Sequence, residues 1–466
     1  SVLVAVVFMT GMVVAQNDAT VEQINDYNKA NVDQSGSNEA DIYQKTTSDH
    51  ESGTWNTANV TQEGESNYMD YEVEGYDNLL RSEQFGDNNK AYIDEGVWND
   101  GSNYSNNVFV EQDNTNSGDL GNFLRADLKG DENAFRFWQT GDNNSIRGAY
   151  GHITQVGTES FAYEGDNSFV KVEQVGDDNV MRGNIYGTDQ RVVVEQMGDE
   201  NFSGVKIKDN LGTTEGSYKQ FVTVRQWEKD NDSRVDIEGS DNRVLVEQHG
   251  ADMSGDQRSI VFIEGSDNKV QHYQTLDGEG GRGQGGSLAK SDIDGDYNKS
   301  FIGKKLGQEG VDNKAIHTVT GDNNKAYTDQ DGERNKAFVT QTGDHNVAKQ
   351  IQDMWPEDNY DDVAPWEAND NVSLIEQDND YNTAKTYQFG DDNVAKVYQD
   401  GDDRAYVDQG IWDQGASWNH GYGTGQFGND NRAIIDQNGG TNVSRVLQLG
   451  NNNNVNINQG PIQQLQ

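Results

Sequence analysis

Apolar residues in this chain rarely come in runs. They alternate with polar residues over short stretches that open on Asn and close on Gln, most regularly in "QFGNDNRAIIDQNGGTNVSRVLQLGNNNNVNINQ", where Gln426, Gln437, Gln448 and Gln459 recur every eleven residues. The unit reads Gln-x-Gly-x-x-Asn-x-(Ala/Ser/Val)-x-(Ile/Val)-x-Gln. A period of two predicts a short strand: Asn431, Ala433, Ile435 and Gln437 share one face, and Arg432, Ile434 and Asp436 share the other. The x-Gly-x-x segment predicts a turn, because Gly takes positive φ freely and Asp or Asn tolerates it. The turn glycines are Gly36, Gly86, Gly141, Gly176, Gly343, Gly390, Gly428 and Gly450.

Looser copies run back almost to residue 17, among them Asn133-Phe135-Phe137-Gln139, Asn324-Ala326-Thr328-Gln330 and Asn371-Ser373-Ile375-Gln377. A small unit repeated at a fixed period is one element stacked many times, and that predicts an all-β solenoid. Two arcs, roughly 22 residues, make one rung, which gives about 17 rungs of two short strands with loop insertions. At about 4.8 Å per stacked strand the body is about 80 Å long. Insertions interrupt the period at 45–55, 96–105, 113–121, 275–286, 353–370 and 410–419, and a solenoid carries such segments as outer loops. Trp355, Trp366, Trp412 and Trp418 sit in them, as candidates for contact with a glycan or another surface or for packing on the solenoid flank. Residues 16–460 read as a single solenoid, with a tail at 461–466.

The strand-end amides are the candidate structural residues: Asn28, Gln34, Asn38, Gln44, Asn242, Gln248, Asn335, Gln341, Asn382, Gln388, Asn393, Gln399, Asn431, Gln437, Asn442, Gln448, Asn453 and Gln459. Stacked in register, each amide donates to one neighbour and accepts from the other, so buried amides need no other partner. Such ladders resist slippage, because an unpaired buried amide costs about 1–3 kcal/mol.

Composition changes this picture little. Only 32% of residues are hydrophobic, mean hydropathy is -0.93 and net charge is -45, values that ordinarily mark disorder. The strict spacing supplies order instead, because a thin repeat core needs few apolar residues. With no cysteine, disulfides and thiol chemistry are excluded. Eighty acidic residues against 35 Lys and Arg argue against binding nucleic-acid phosphates. They suit cations, and Asp87, Asp177, Asp178, Asp391 and Asp392 are candidate Ca²⁺ ligands in the turns, although ordinary turn chemistry needs the same residues. The seven histidines (His50, His152, His249, His272, His317, His345, His420) show no metal-ligand spacing. Neither a phosphate loop nor a Gly-x-Ser-x-Gly elbow occurs, so no enzyme is expected. Residues 1–15, "SVLVAVVFMTGMVVA", read as a signal peptide truncated at its start and cut before Gln16.

"QFGDDNVAKVYQ" (388–399) and "QTGDHNVAKQIQ" (341–352) resemble the curlin repeat of curli subunits, secreted bacterial proteins that build biofilm amyloid fibres. The resemblance implies a β-solenoid, export through an outer-membrane secretion machinery, and polymerisation outside the cell or at the surface of a bacterium. Copies such as Asn67-Met69-Tyr71-Val73 are eroded, so the chain resembles a long, divergent member. The function expected is that of a fibre subunit growing end to end as a homo-polymer. The alternative is a calcium-stabilised adhesin that binds surfaces or glycans.

Overall fold

The computed structural model describes residues 17–24, 29–45, 57–73, 79–95, 107–114, 121–128, 134–136, 138–141, 143–147, 155–156, 169–185, 190–208, 220–249, 257–275, 287–303, 308–309, 312–330, 332–352, 369–388, 390–409, 430–438, 442–448 and 452–459. The signal-peptide reading, the tail, Asn28, Gly428, Gly450, the four loop tryptophans and most of each insertion lie outside them. The described residues form an all-β parallel solenoid, in which none is helical. They fall into two compact units, Ser1–Asp241 and Asn242–Gln466.

In the second unit, strand Lys336–Thr342 pairs in parallel with Lys314–Thr320 on one side and Val372–Asp378 on the other. The strands between them in sequence, Lys325–Gln330 and Val347–Gln352, pair with each other instead. Chain neighbours therefore lie on opposite layers, and strands two apart stack. The register keeps like on like: Ala315, Ala337, Ser373, Ala395 and Ala433 are level in one column. Inward and outward positions alternate, so Ala337, Val339 and Gln341 are buried while Lys336 and Thr342 are exposed. Ala289, Ile302, Ala315 and Ala337 form one buried cluster. Small inward residues let the two layers close on each other and leave a core two side chains thick.

The first unit follows the same rule with less regularity. Gln34, Gln62, Gln84, Gln112 and Gln139 are level across successive strands. Two adjacent sequence copies merge into the single 17-residue strand Lys29–Lys45, which pairs with Thr57–Val73 and shifts register between Ser37 and Glu39. Pairing persists through the turn because Gly36 and Gly64 stay level. The copy at 133–139 is broken into Ala134–Arg136 and Gln139–Thr140.

Turn geometry explains why glycine recurs at one place in the repeat, which Glu228 and Asn379 otherwise hold at φ 68° and 63°. Gly343 has φ 102°, and a Cβ built there would lie 2.6 Å from Asn379 O of the stacked turn. Neither the backbone conformation nor the space admits a side chain. The turn also has a second left-handed residue, just before the ladder asparagine. Asn323 and Asp392 hold that place at φ 58° and 56°, but so do Tyr297, Arg334 and His345 at φ 58°, 57° and 60°. Gly343→Ala is expected to destabilise the chain by about 1–3 kcal/mol, the cost of a strained backbone site. A shift of the urea midpoint to lower concentration checks it.

Candidate functional site: amide ladders and a buried polar seam

The glutamine column of the second unit is a chain of side-chain hydrogen bonds. Gln341 Nε2 donates to Gln377 Oε1 at 2.9 Å, Gln377 to Gln399 at 2.9 Å, Gln399 to Gln437 at 3.1 Å and Gln437 to Gln459 at 2.8 Å. On the other layer Gln330 donates to Gln352 at 2.8 Å and Gln352 to Gln388 at 2.7 Å. The remaining amide proton crosses the core, as from Gln341 Nε2 to Lys325 O at 3.1 Å, from Gln388 to Val372 O at 3.0 Å and from Gln448 to Arg432 O at 2.9 Å. Each glutamine thus ties rung to rung and layer to layer. Gln248 makes its cross-core bond to Gln257 O at 2.6 Å. In the first unit, Gln34 donates to Gln62 at 2.6 Å and Gln44 accepts from Gln23 at 2.9 Å.

The asparagines work chiefly through backbone. Asn393 N donates to Asn371 Oδ1 at 2.9 Å, and Asn393 Oδ1 accepts from Asn431 N at 3.2 Å. Asn335 Oδ1 accepts from Asn371 N at 3.0 Å, Asn242 Oδ1 from Asn268 N at 3.0 Å and Asn38 N donates to Asn17 Oδ1 at 3.0 Å. The side-chain Nδ2 turns to a carbonyl of the stacked turn, as from Asn242 to Gly265 O at 2.7 Å. Amide-to-amide contact occurs as well, as from Asn453 Nδ2 to Asn431 Oδ1 at 2.9 Å. The shorter side chain reaches the backbone of the next rung more readily than its amide.

Sequence reading passed over Asp403, which takes the asparagine place between Asn382 and Asn442. Its N donates to Asn382 Oδ1 at 3.1 Å, and its Oδ1 accepts from Asn442 N at 2.8 Å. The side chain is buried and Oδ2 has no hydrogen-bond partner. Burial raises its carboxyl pKa, against the hydrogen bonds from Asn442 that lower it.

The turn carboxylates have their own ladder. Asp87 Oδ1 accepts from Glu65 N at 2.7 Å, and Asp391 Oδ1 from Asn369 N at 3.0 Å. Asp177 N donates to Asp199 Oδ1 at 3.1 Å. Asp178 and Asp392 hold left-handed φ of 56° and are exposed. Among the described residues no group of three or more acidic or histidine side chains is placed to hold a metal.

The repeat pattern gives least warning of a polar seam inside the second unit. Ser259 Oγ lies 2.7 Å from His272 Nδ1, and His272 Nε2 lies 2.7 Å from Ser291 Oγ. Ser291 Oγ is 2.6 Å from Ser300 Oγ, which is 2.7 Å from His317 Nδ1; His317 Nε2 is 2.7 Å from Thr328 Oγ1. Thr328 donates to Gln350 Oε1 at 3.1 Å, Gln350 Nε2 meets Ser373 Oγ at 2.9 Å, and Ser373 Oγ meets Thr386 Oγ1 at 2.6 Å. All nine side chains are buried. The signal in the sequence was that both histidines occupy inward apolar places: His272 is level with Val246 and Ile302, and His317 with Val339.

This arrangement defines a class: a repeat solenoid whose parallel strands are locked by self-pairing side chains. Residues 321–349 and 428–460 match the family model of the curlin associated repeat. A search of the curated proteins found no match.

Gln377→Leu, which orphans Gln399 Oε1 and takes the acceptor from Gln341 Nε2, is expected to cost about 1–3 kcal/mol per orphaned group. The denaturant midpoint at neutral pH checks it. Asp403→Asn supplies an amide where a buried carboxyl stands. A raised folded-state pKa gives stability that is full at acid pH and lost as pH rises, so the variant gains at neutral pH. That gain, about 1 kcal/mol, shrinks as pH falls below the ordinary aspartate range. Midpoints at two pH values read both signs.

Proposed function

We propose that this chain is a structural subunit of an extracellular, curli-like fibre in which copies add end to end by continuing the stacks. The observation that carries this reading is the in-register glutamine column from Gln341 to Gln459, in which each rung offers the next the same donor and acceptor. The curlin-repeat matches support it. In this reading the repeats make about 17 rungs of two strands each, the chain is exported, and the insertions stand outside the register as outer loops.

Net charge opposes assembly. Forty-five net negative charges repel where copies approach within the Debye length, about 10 Å at 0.1 M salt. Purified protein is expected to form filaments slowly at low ionic strength and quickly in salt or divalent cations. Electron microscopy and fibre diffraction with a 4.7–4.8 Å axial reflection test it. Folded protein that stays monomeric at high concentration in salt would sink the proposal.

A further inference from the structure

The buried seam admits one arrangement of protons. Phe338 O can only accept, and Gln350 Nε2 lies 2.9 Å from it, so the Gln350 amide is fixed with Oε1 toward Thr328. Oε1 also only accepts, so the Thr328 hydroxyl proton points at it and Thr328 Oγ1 is left to accept from His317 Nε2. His317 therefore carries its proton on Nε2 and accepts a hydrogen bond at Nδ1 from the Ser300 hydroxyl. Ser300 accepts from Ser291, Ser291 accepts from His272 Nε2, and His272 Nδ1 accepts from the Ser259 hydroxyl. Both rings are neutral Nε2–H tautomers. An imidazolium donates from both nitrogens, so a second proton on His317 would face the Ser300 hydroxyl proton. Rotating that hydroxyl away passes the displaced proton along Ser291 and a switched His272 tautomer to Ser259 at the end of the seam.

Among the described residues, none of those level with or directly across from the two rings is charged. The residues level with His272 are Val246 and Ile302, and those level with His317 are Ser291 and Val339. Across the core lie Ser259, Ser291, Ser300 and Thr328. Charged residues of the packed strands hold the alternate places, half-buried or exposed: Arg243, Glu247, Arg258, Glu264, Lys269, Lys290, Asp292, Asp294, Lys299, Lys314, Lys325 and Lys336. Asp329, buried beside Thr328, has Tyr327 Oη 3.4 Å from its Oδ2. Among the described residues, the titratable group acting on His272 is His317, and it repels.

We propose that the seam is a proton-responsive site: the second unit folds only with both imidazoles neutral, so acid opposes its folding through these two rings. The inference concerns folding of the chain and does not rest on fibre formation. Burial, with repulsion from His317 added, takes the His272 pKa from 6.5 to about 3, and burial alone takes His317 to about 3. Folded values below the unfolded one give stability that is full above pH 6.5 and lost as pH falls from there toward 3. Between pH 7.5 and 5 each histidine lowers the folded-to-unfolded ratio about 30-fold, and the two together about 1000-fold.

The test is urea unfolding of the full chain at pH 7.5, 6 and 5, for wild type and for the double variant His272→Gln/His317→Gln. The carboxylates are common to both, so the difference isolates the imidazoles. The expected result is that the wild type loses about 1000-fold more than the variant across that range. Equal losses overturn the proposal. Should the variant not fold, imidazole ¹³C and ¹⁵N spectra of folded wild type at pH 5 decide it. Two neutral Nε2–H rings support the proposal, and only imidazolium signals overturn it.

Discussion

Parallel stacking in register is the constraint on which everything else in this protein depends. Once strands lie level, each side chain meets its counterpart one rung away, and a buried polar group must be able to pair with its own kind. Glutamine and asparagine can do so, because each carries both donor and acceptor; a carboxylate or an ammonium cannot. Hence amides fill the ends of the inward face at Gln341, Gln377 and Gln399, small residues fill the column from Ala315 to Ala433, and charge is driven outward. The same constraint fixes the turns, where Gly343 must pass close under the carbonyl of Asn379.

Low hydrophobicity is compatible with this order because the core is only two side chains thick. Each glutamine contributes twice, along the stack and across it, as Gln377 does with Gln399 Oε1 and Val347 O. Departures from the amide rule are therefore the places where protonation matters. Asp403 puts an acid where an amide belongs, and His272 and His317 put imidazoles where Val or Ile belongs. Their pKa values move in opposite senses, the carboxyl up and the imidazoles down, because burial disfavours whichever form carries charge.

Much of this was legible from residue order. Strand and turn places around Gln437 and Gly343 follow from a period of eleven, since local alternation and turn chemistry are read along the chain. The partner of each residue is not. Gln377 meets Gln399 at a separation of 22 but Gln341 at 36, because Lys336–Thr342 pairs directly with Val372–Asp378 across a longer stretch of chain. The seam was hidden for the same reason: Ser259, His272, Ser291, Ser300 and His317 come from alternating layers, and only the coil brings them into line. The left-handed place before the ladder asparagine was hidden where Tyr297 or Arg334 fills it, residues that do not advertise positive φ.

The direction of the glutamine bonds gives the second unit a sense. From Gln341 to Gln459, and again from Gln330 to Gln388, every link donates toward the later rung. Amide dipoles aligned in this way do not cancel. One end of such a column shows carbonyl oxygens and the other shows N–H groups, so the two ends are chemically unlike even though the strands themselves repeat. An assembly that extends the column inherits that vector, and its two tips need not recruit alike.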